Sequence, residues 1–374
     1  MEKGHVVIAL NTSWNLVNFR GGLIRRLVAE GYRVTGMAPP DEYSERLAEL
    51  GCHYEPMPMD NKGTSILRDL ALLLRFYRAL RQLRPDVVLC YTVKPNVYGS
   101  LAAHILGIPV VNNVAGLGTV FINPGVVTRV VRLLYRAAFS RARHVFFQND
   151  DDRDYFVSTN LVDAGRTGRL PGSGINLETF GQLPLPGGKP FRFLLVARLL
   201  YDKGIGEYVA AARRLKVSHP DVECCLVGFL DVENVTAVSR ADVEAWEEEG
   251  VIRYLGASDN IREQIADCHC IVLPSYREGL SRTLLEGAAS GRPLIATNVT
   301  GCRELVRSGV NGFLVRPRDE ADLYEQMKGL VDLGPDTWQA FGEASRHEIA
   351  PAYDEKIVID RYLDIIHRET RTDQ

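Results

Sequence analysis

The stretch CIVLPSYREGLSRTLLEGAASGRPLIA, residues 270–296, passes from an unbroken apolar run through a polar loop into a helical pattern and on to a second apolar run. Short apolar runs bounded by turn residues suit strands buried on both faces, and a helix between two of them is the crossover of a parallel sheet. In such sheets ligands bind where the carboxyl ends of strands meet helix N-termini. Here that junction carries Glu278, then Gly279, Leu280 and Ser281, with Ser281 placed to cap a helix over 281–290 and Glu286 a turn and a half along it. A capped helix start with a small residue beside it attracts an anion, and two flanking carboxylates attract hydroxyl groups. A nucleoside diphosphate sugar has that sequence of groups: diphosphate for the helix end, sugar hydroxyls for Glu278, ribose hydroxyls for Glu286.

The same rhythm extends in both directions. Upstream, FRFLLVARL, a helix at 205–217, VECCLVG, helices near 240–249 and 259–266, and then the opening stretch form one Rossmann-like lobe. In ARLLYDKG, residues 197–204, Arg198 closes a strand and Lys203 follows a short loop. A planar fork and a point charge together neutralise a departing diphosphate. Residues 170–190 are rich in Gly and Pro and form a linker. Before it, HVVIAL, a helix at 19–30, RVTGMAP, helices at 41–50 and 66–83, PDVVLCYT, a helix near 96–106 and PVVNNVAG repeat the alternation, giving a second lobe of the same kind. The expected division is 1–172, a linker at 173–190, 191–350, and a terminal amphipathic helix within 351–374 that returns toward the first lobe. A cleft between the lobes is the expected site.

With 46% hydrophobic and 24% charged residues the chain is composed as a globular protein. No run approaches the roughly 20 apolar residues of a membrane-spanning helix, and the short apolar run at 6–10 leads to the expectation of no export. Seven scattered cysteines suit reduced thiols. Cys268-His269-Cys270 lacks a second ligand pair at zinc spacing, and the aspartates of NDDDRDYF, 149–156, suit a helix N-terminus. No metal or cofactor is expected. Residues 1–170 carry a charge of +6 and the remainder −9. The excess concentrates at 62–144, where twelve basic residues face two acids. Arg75, Arg78, Arg129, Arg132 and Arg136 are the candidates to face an anionic membrane. Nucleic acid is set aside for want of a binding module. Lys94, past a strand end, and Arg20, opening the first helix, are candidate acceptor contacts.

The order of A-R-x4-K-G, LVG at 226–228, YLG at 254–256, LPSY-x-E-G-x5-L-E, G-x-P-L-I-A and VNGFLV at 310–315 resembles the retaining glycosyltransferases of family four, whose architecture is GT-B. The resemblance implies that Arg198 and Lys203 bind the donor diphosphate, Glu278 the donor sugar and Glu286 the ribose, with Gly228 and Ala257 near the nucleotide. It also implies retention of configuration without a metal, by front-face displacement. NTSWNLVNFR at 11–20, YTVKPNVYG at 91–99, the AGLGTVF loop with Gly118, and SGINLETF at 173–180 look like the bacterial branch acting on undecaprenyl-diphosphate-linked saccharides. The expected function is therefore transfer of a hexosamine such as GalNAc from UDP to a polyprenyl-diphosphate-linked acceptor, by a cytoplasmic enzyme resting on the inner face of the plasma membrane. The alternatives are an epimerase-like GT-B enzyme and a catalytically silent scaffold. An NAD-dependent oxidoreductase is excluded because NTSWNLVNF stands where G-x-G-x-x-G is needed.

Overall fold

The computed structural model describes residues 3–60, 65–117, 125–188, 190–230, 234–258 and 260–370. The chain divides into two compact units, one of Met1–Gly174 with Glu355–Gln374 and one of Ile175–Asp354. In the first, the elements are β1 (His5–Ala9), α1 (Ser13–Ala29), β2 (Arg33–Ala38), β3 (His53–Pro56), α2 (Ile66–Leu83), β4 (Val87–Tyr91), α3 (Ser100–Leu106), β5 (Val110–Val114), α4 (Val126–Phe139), β6 (His144–Phe147), α5 (Asp150–Ser158) and β7 (Thr167–Arg169). Its sheet runs β3-β2-β1-β4-β5-β6-β7, all parallel. The second unit has β8 (Arg192–Val196), α6 (Ile205–Ser218), β9 (Glu223–Val227), α7 (Arg240–Glu248), β10 (Arg253–Tyr254), α8 (Ile261–Ala266), β11 (Cys270–Leu273), α9 (Arg282–Ala289), β12 (Leu294–Thr297), β13 (Gly312–Val315), α10 (Glu320–Leu333) and α11 (Pro335–Tyr353). Its sheet runs β10-β9-β8-β11-β12-β13, again parallel. Counted within each unit, the second order is 3-2-1-4-5-6, the doubly wound Rossmann arrangement, and the first is the same order extended by a seventh strand.

Each central strand is apolar throughout because helices cover both faces. In β1, Val6 and Ile8 join the core under α1, while Val7 and Ala9 join the one under α2 and α3. In β11, Cys270 and Val272 face one core and Ile271 and Leu273 the other. The last helix, α12 (Glu355–Thr370), packs in the first unit, with Val358, Ile359, Tyr362, Leu363, Ile365 and Ile366 buried against α1 and the sheet. Gly22 inside α1 makes room for its start: a Cβ there would lie 2.7 Å from the Glu355 carboxylate.

Local capping accounts for the departures from expectation. α1 starts at Ser13 and not near Phe19, because the Thr12 side chain accepts the Asn15 N–H at 3.1 Å. Residues 45–50 form a 3-10 turn in place of an α-helix. The helix expected near 96–106 opens with a π-helical turn, Pro95–Gly99. Pro351 lies inside the last turn of α11, and the terminal helix expected within 351–374 begins after the extended Asp354. The aspartates at 150–152 do lead a helix: Asn149 caps α5 by accepting the Asp152 N–H at 2.8 Å. All seven cysteines are buried and unbridged. Among the described residues, no helix is long and apolar enough to cross a membrane.

Candidate functional site

In each sheet the strand order reverses between the first and fourth strands, so the second unit presents the ends of β8 and β11 side by side. Beyond β8 the chain makes a tight turn at Tyr201–Lys203 and enters α6 through Gly204 at φ +73°. That residue has to be glycine, because a Cβ would stand 2.1 Å from the Pro274 carbonyl oxygen. The close approach joins the two loops. Asp202 O accepts the Tyr276 N–H at 3.0 Å and the Ser275 hydroxyl at 3.4 Å. A third loop, after β12, closes on them: Glu278 N–H donates to Thr300 O at 3.1 Å, Ser281 N–H to Gly301 O at 2.8 Å, and the Thr297 hydroxyl to Ser275 O. Gly301, at φ +81°, lies so near Glu278 that a Cβ would come within 2.5 Å of its carbonyl oxygen.

This lacing brings Lys203 Nζ to 2.5 Å from Glu278 Oε1, with both side chains under a fifth exposed. Residues 75 apart in sequence thus meet as a charge-assisted pair. Ser281 caps α9 as expected, accepting the Leu284 N–H at 3.3 Å. Its own N–H, however, is taken by Gly301 and does not point to a ligand, so the anion-facing donors are fewer than the sequence suggested. Leu280 is buried, while Gly279 is half-buried. Arg198 lies just past the end of β8 and is exposed; its carbonyl accepts the Leu200 N–H at 2.7 Å, and its guanidinium has no hydrogen-bond or ion-pair partner among the described residues. Two residues before it, the Val196 carbonyl accepts the Thr283 hydroxyl at 3.0 Å, tying α9 to the end of β8.

Glu286 is 9% exposed and takes Arg282 Nε at 2.8 Å, an i,i+4 pair overlooked in the sequence. Burial raises its carboxyl above the ordinary range, with Arg282 pulling the other way. Gly228 and Ala257 are brought close, since Gly228 N–H donates to Gly256 O at 3.0 Å. The need for glycine at 228 comes from the protein itself: a Cβ would lie 1.9 Å from Ala197 O. Ala257 is exposed. Cys268, His269 and Cys270 are packing residues, with His269 stacked on Phe191 at 4.7 Å. Among the described residues no group of three or more His, Cys, Asp or Glu is placed to hold a metal.

In the first unit Lys94 follows β4 and binds Asp69 of α2 at 2.7 Å. Arg20 does not open a helix beside a loop: it lies two turns inside α1, 5% exposed, with its guanidinium 4.2 Å from the centre of the Tyr91 ring. Gly118 lies outside the described residues. Arg75, Arg78, Arg129 and Arg136 are exposed and Arg132 is half-buried. Val130 and Leu133 of α4 stand in solvent beside them, while Phe139 is core.

The geometry agrees with comparisons to known proteins. Residues 190–332 match the family model for Glycosyl transferases group 1, and residues 18–172 that for the Glycosyl transferase 4-like domain. The chain belongs to this family of glycosyltransferases, and its two Rossmann-like units are those of the GT-B class. It is 27% identical to the N,N'-diacetylbacillosaminyl-diphospho-undecaprenol alpha-1,3-N-acetylgalactosaminyltransferase of Campylobacter jejuni, over 95% of this chain and 96% of that one. It is 25% identical to the UDP-Gal:alpha-D-GlcNAc-diphosphoundecaprenol alpha-1,3-galactosyltransferase of Escherichia coli, over 69% of each. In fold it resembles Anabaena HepE solved with UDP and glucose, with a TM-score of 0.79 at 17% identity over 98% of this chain and 100% of that one.

Proposed function

We propose that this glycosyltransferase moves an N-acetylhexosamine, GalNAc by preference, from UDP to an undecaprenyl-diphosphate-linked saccharide, retaining configuration at the anomeric carbon and using no metal. The observation that carries the reading is the Lys203–Glu278 pair at the capped start of α9, between the ends of β8 and β11. Arg198 stands on the loop leaving β8 with its charge uncommitted. The two relatives described above, whose names specify diphospho-undecaprenol acceptors, support the acceptor class.

In this reading the donor diphosphate draws Lys203 away from Glu278 and meets Arg198, while the freed carboxylate takes hydroxyls of the donor sugar. The acceptor oxygen then bonds to the anomeric carbon on the face from which UDP departs, and the acceptor proton passes to the leaving phosphate oxygen. Arg198 and Lys203 stabilise the charge that develops there, which is the form of help most valuable in the transition state. Glu286, already paired with Arg282, meets the ribose from its buried position.

The site of action is the inner face of the plasma membrane, held peripherally by the arginines of α2 and α4 beside exposed Val127, Val130 and Leu133. Turnover with a panel of UDP- and GDP-sugars on a short polyprenyl-diphosphate-linked acceptor, with and without EDTA, tests the reading. Transfer from one UDP-N-acetylhexosamine, indifferent to EDTA, is expected. Absence of binding by every nucleotide sugar would leave a scaffold, and release of a free epimer without an acceptor would indicate an epimerase. Sedimentation with liposomes is expected to increase with anionic lipid and decrease with salt.

A further inference from the structure

The first unit contains a cavity of about 360 Å³ between the segment after β3 and the outer side of α2. Its charged lining is Arg68, Arg75 and Lys94 against one carboxylate, Asp60, and its apolar lining includes Met59 and Leu72. Three cations around one small cavity suit a polyanion. Two of them are held by weakly protected partners: Arg68 binds Asp60 at 2.9 Å in an exposed pair, and Arg75 gives one N–H to Pro58 O at 2.8 Å. Lys94 is held by Asp69 at 2.7 Å, both largely shielded from solvent.

The backbone that delivers Lys94 is unusual. Thr92, two residues before it, sits at φ +63°, a conformation that opposes a β-branched side chain, and the next turn, Pro95–Gly99, is π-helical. Strain of this kind persists where a side chain has to be aimed, and here it lies at the end of β4, the first unit's own switch point. Beside the cavity lining, α2 turns an apolar stripe to solvent. Ile66, Leu67, Leu70 and Leu74 of α2 are 76%, 80%, 57% and 46% exposed and fall on one stripe, while Arg68 and Arg75 lie seven apart on the adjoining one. A soluble nucleotide or inorganic anion makes no use of such a stripe. An isoprenoid diphosphate uses both parts.

We infer that this cavity is the seat of the acceptor's diphosphate, with Arg68, Arg75 and Lys94 as its ligands and the first isoprene units lying along Ile66, Leu67 and Leu70. The assignment rests on the lipid-linked acceptor proposed above. Asp69 is the internal counter-ion that holds Lys94 in the free enzyme and gives it up when the diphosphate enters.

Binding without donor separates this site from the transfer reaction. The probes are farnesyl diphosphate, inorganic diphosphate and farnesol, titrated against the full chain by calorimetry. Farnesyl diphosphate is expected to bind more tightly than either fragment. Lys94→Met and Arg75→Gln are each expected to weaken it about tenfold or more, the loss of one charge-assisted contact. Leu70→Asn should weaken farnesyl diphosphate and leave inorganic diphosphate unchanged. Asp69→Asn removes the competing carboxylate and is expected to tighten binding, an outcome that damage to the fold does not produce. In turnover, Lys94→Met should raise the KM for the lipid acceptor and leave that for the UDP-sugar alone. Unchanged farnesyl diphosphate affinity in Lys94→Met and Arg75→Gln, with Glu278→Ala still inactive, overturns the cavity assignment and leaves the proposed function standing. Equal affinity for farnesyl and inorganic diphosphate makes it a free-anion site and overturns it also. Farnesyl diphosphate binding that depends on Lys94, in a protein that uses no nucleotide sugar, retains the cavity and overturns the function.

Discussion

The two units share one strand order and differ in how they finish its switch point. In the second, the left-handed positions beside the paired strands are glycines, Gly204 and Gly301, and the loops they permit lock onto each other through backbone hydrogen bonds. In the first, the left-handed position is Thr92, and the cation it leads to, Lys94, is held by one carboxylate on a neighbouring helix. Topology thus decides where a ligand binds, and the local residues decide whether that place is rigid or adjustable. At both edges the cation is held by a carboxylate that an arriving anion can replace, Lys203 by Glu278 and Lys94 by Asp69; what differs is the backbone beneath it, laced between loops in the second unit and turned at a single non-glycine residue in the first.

The comparison breaks most visibly at Glu278 and Lys203. Glu278→Ala and Lys203→Ala are each expected to lower kcat by about a thousandfold, near 4 kcal/mol, with unchanged circular dichroism. Lys94→Met, at the equivalent edge of the first unit, should act on the acceptor's KM instead. A kcat loss shared equally by all three variants would mean that the two edges do the same work. Next in size is Gly204→Ala. A left-handed alanine costs about 1–2 kcal/mol, and the contact with Pro274 adds to it, so a loss of at least 2 kcal/mol in denaturant unfolding is expected. Activity should fall with it, because Gly204 keeps the Lys203 turn against the loop that carries Glu278.

That lock shows what sequence can convey. Apolar runs and their spacing give both Rossmann-like units, and the helices at 66–83 and 205–218 follow from period alone, because burial imposes the pattern. Ser281 is legible as a cap, and Lys203 and Glu278 stand out as charged residue types beside strand ends. Their direct pairing is not legible, since it depends on a glycine 70 positions before the proline it touches. Nor is the role of Gly228, which looks like space for a ligand and is filled by Ala197 O. The Arg282–Glu286 pair is visible in the sequence as an i,i+4 spacing, but the same carboxylate equally suits a ligand hydroxyl, and spacing alone does not choose between them. Arg20 was misplaced because the start of α1 is set by a Thr12 cap within a segment that lacks apolar periodicity.

A smaller contrast lies at the amino ends of the strands. Both sheets have a buried histidine there. His5 engages Thr35 Oγ1 at 2.8 Å and Arg33 at 2.8 Å, whereas His269 accepts the Arg192 N–H at 3.1 Å. Burial lowers the His269 pKa to about 4. Its folded pKa lies below the unfolded value, so neither state is protonated above about pH 6.5 and the histidine is silent there. As pH falls from 6.5 toward 4, the unfolded chain gains a proton that the folded chain refuses, and stability is lost. By pH 5 the loss is about 2 kcal/mol. His269→Gln should flatten the difference in urea stability between pH 7 and pH 5. An undiminished slope would place the acid sensitivity elsewhere.

The smallest effect bears most directly on the first unit's edge. If Thr92 is strained in order to aim Lys94, then Thr92→Gly relieves the strain and at the same time frees the unfolded chain, two terms of about 1 kcal/mol each with opposite sign. Stability should therefore stay within about 1 kcal/mol of wild type, in contrast to the loss at Gly204, where the substitution runs in the opposite sense. Function should separate from stability. The glycine loosens the approach to Lys94, so farnesyl diphosphate binding weakens while UDP-sugar binding is unaffected. A Thr92→Gly protein that is more stable and binds farnesyl diphosphate as tightly as before would show that the strain is an accident of the β4 turn, and that the Asp69–Lys94 pair alone positions the cation.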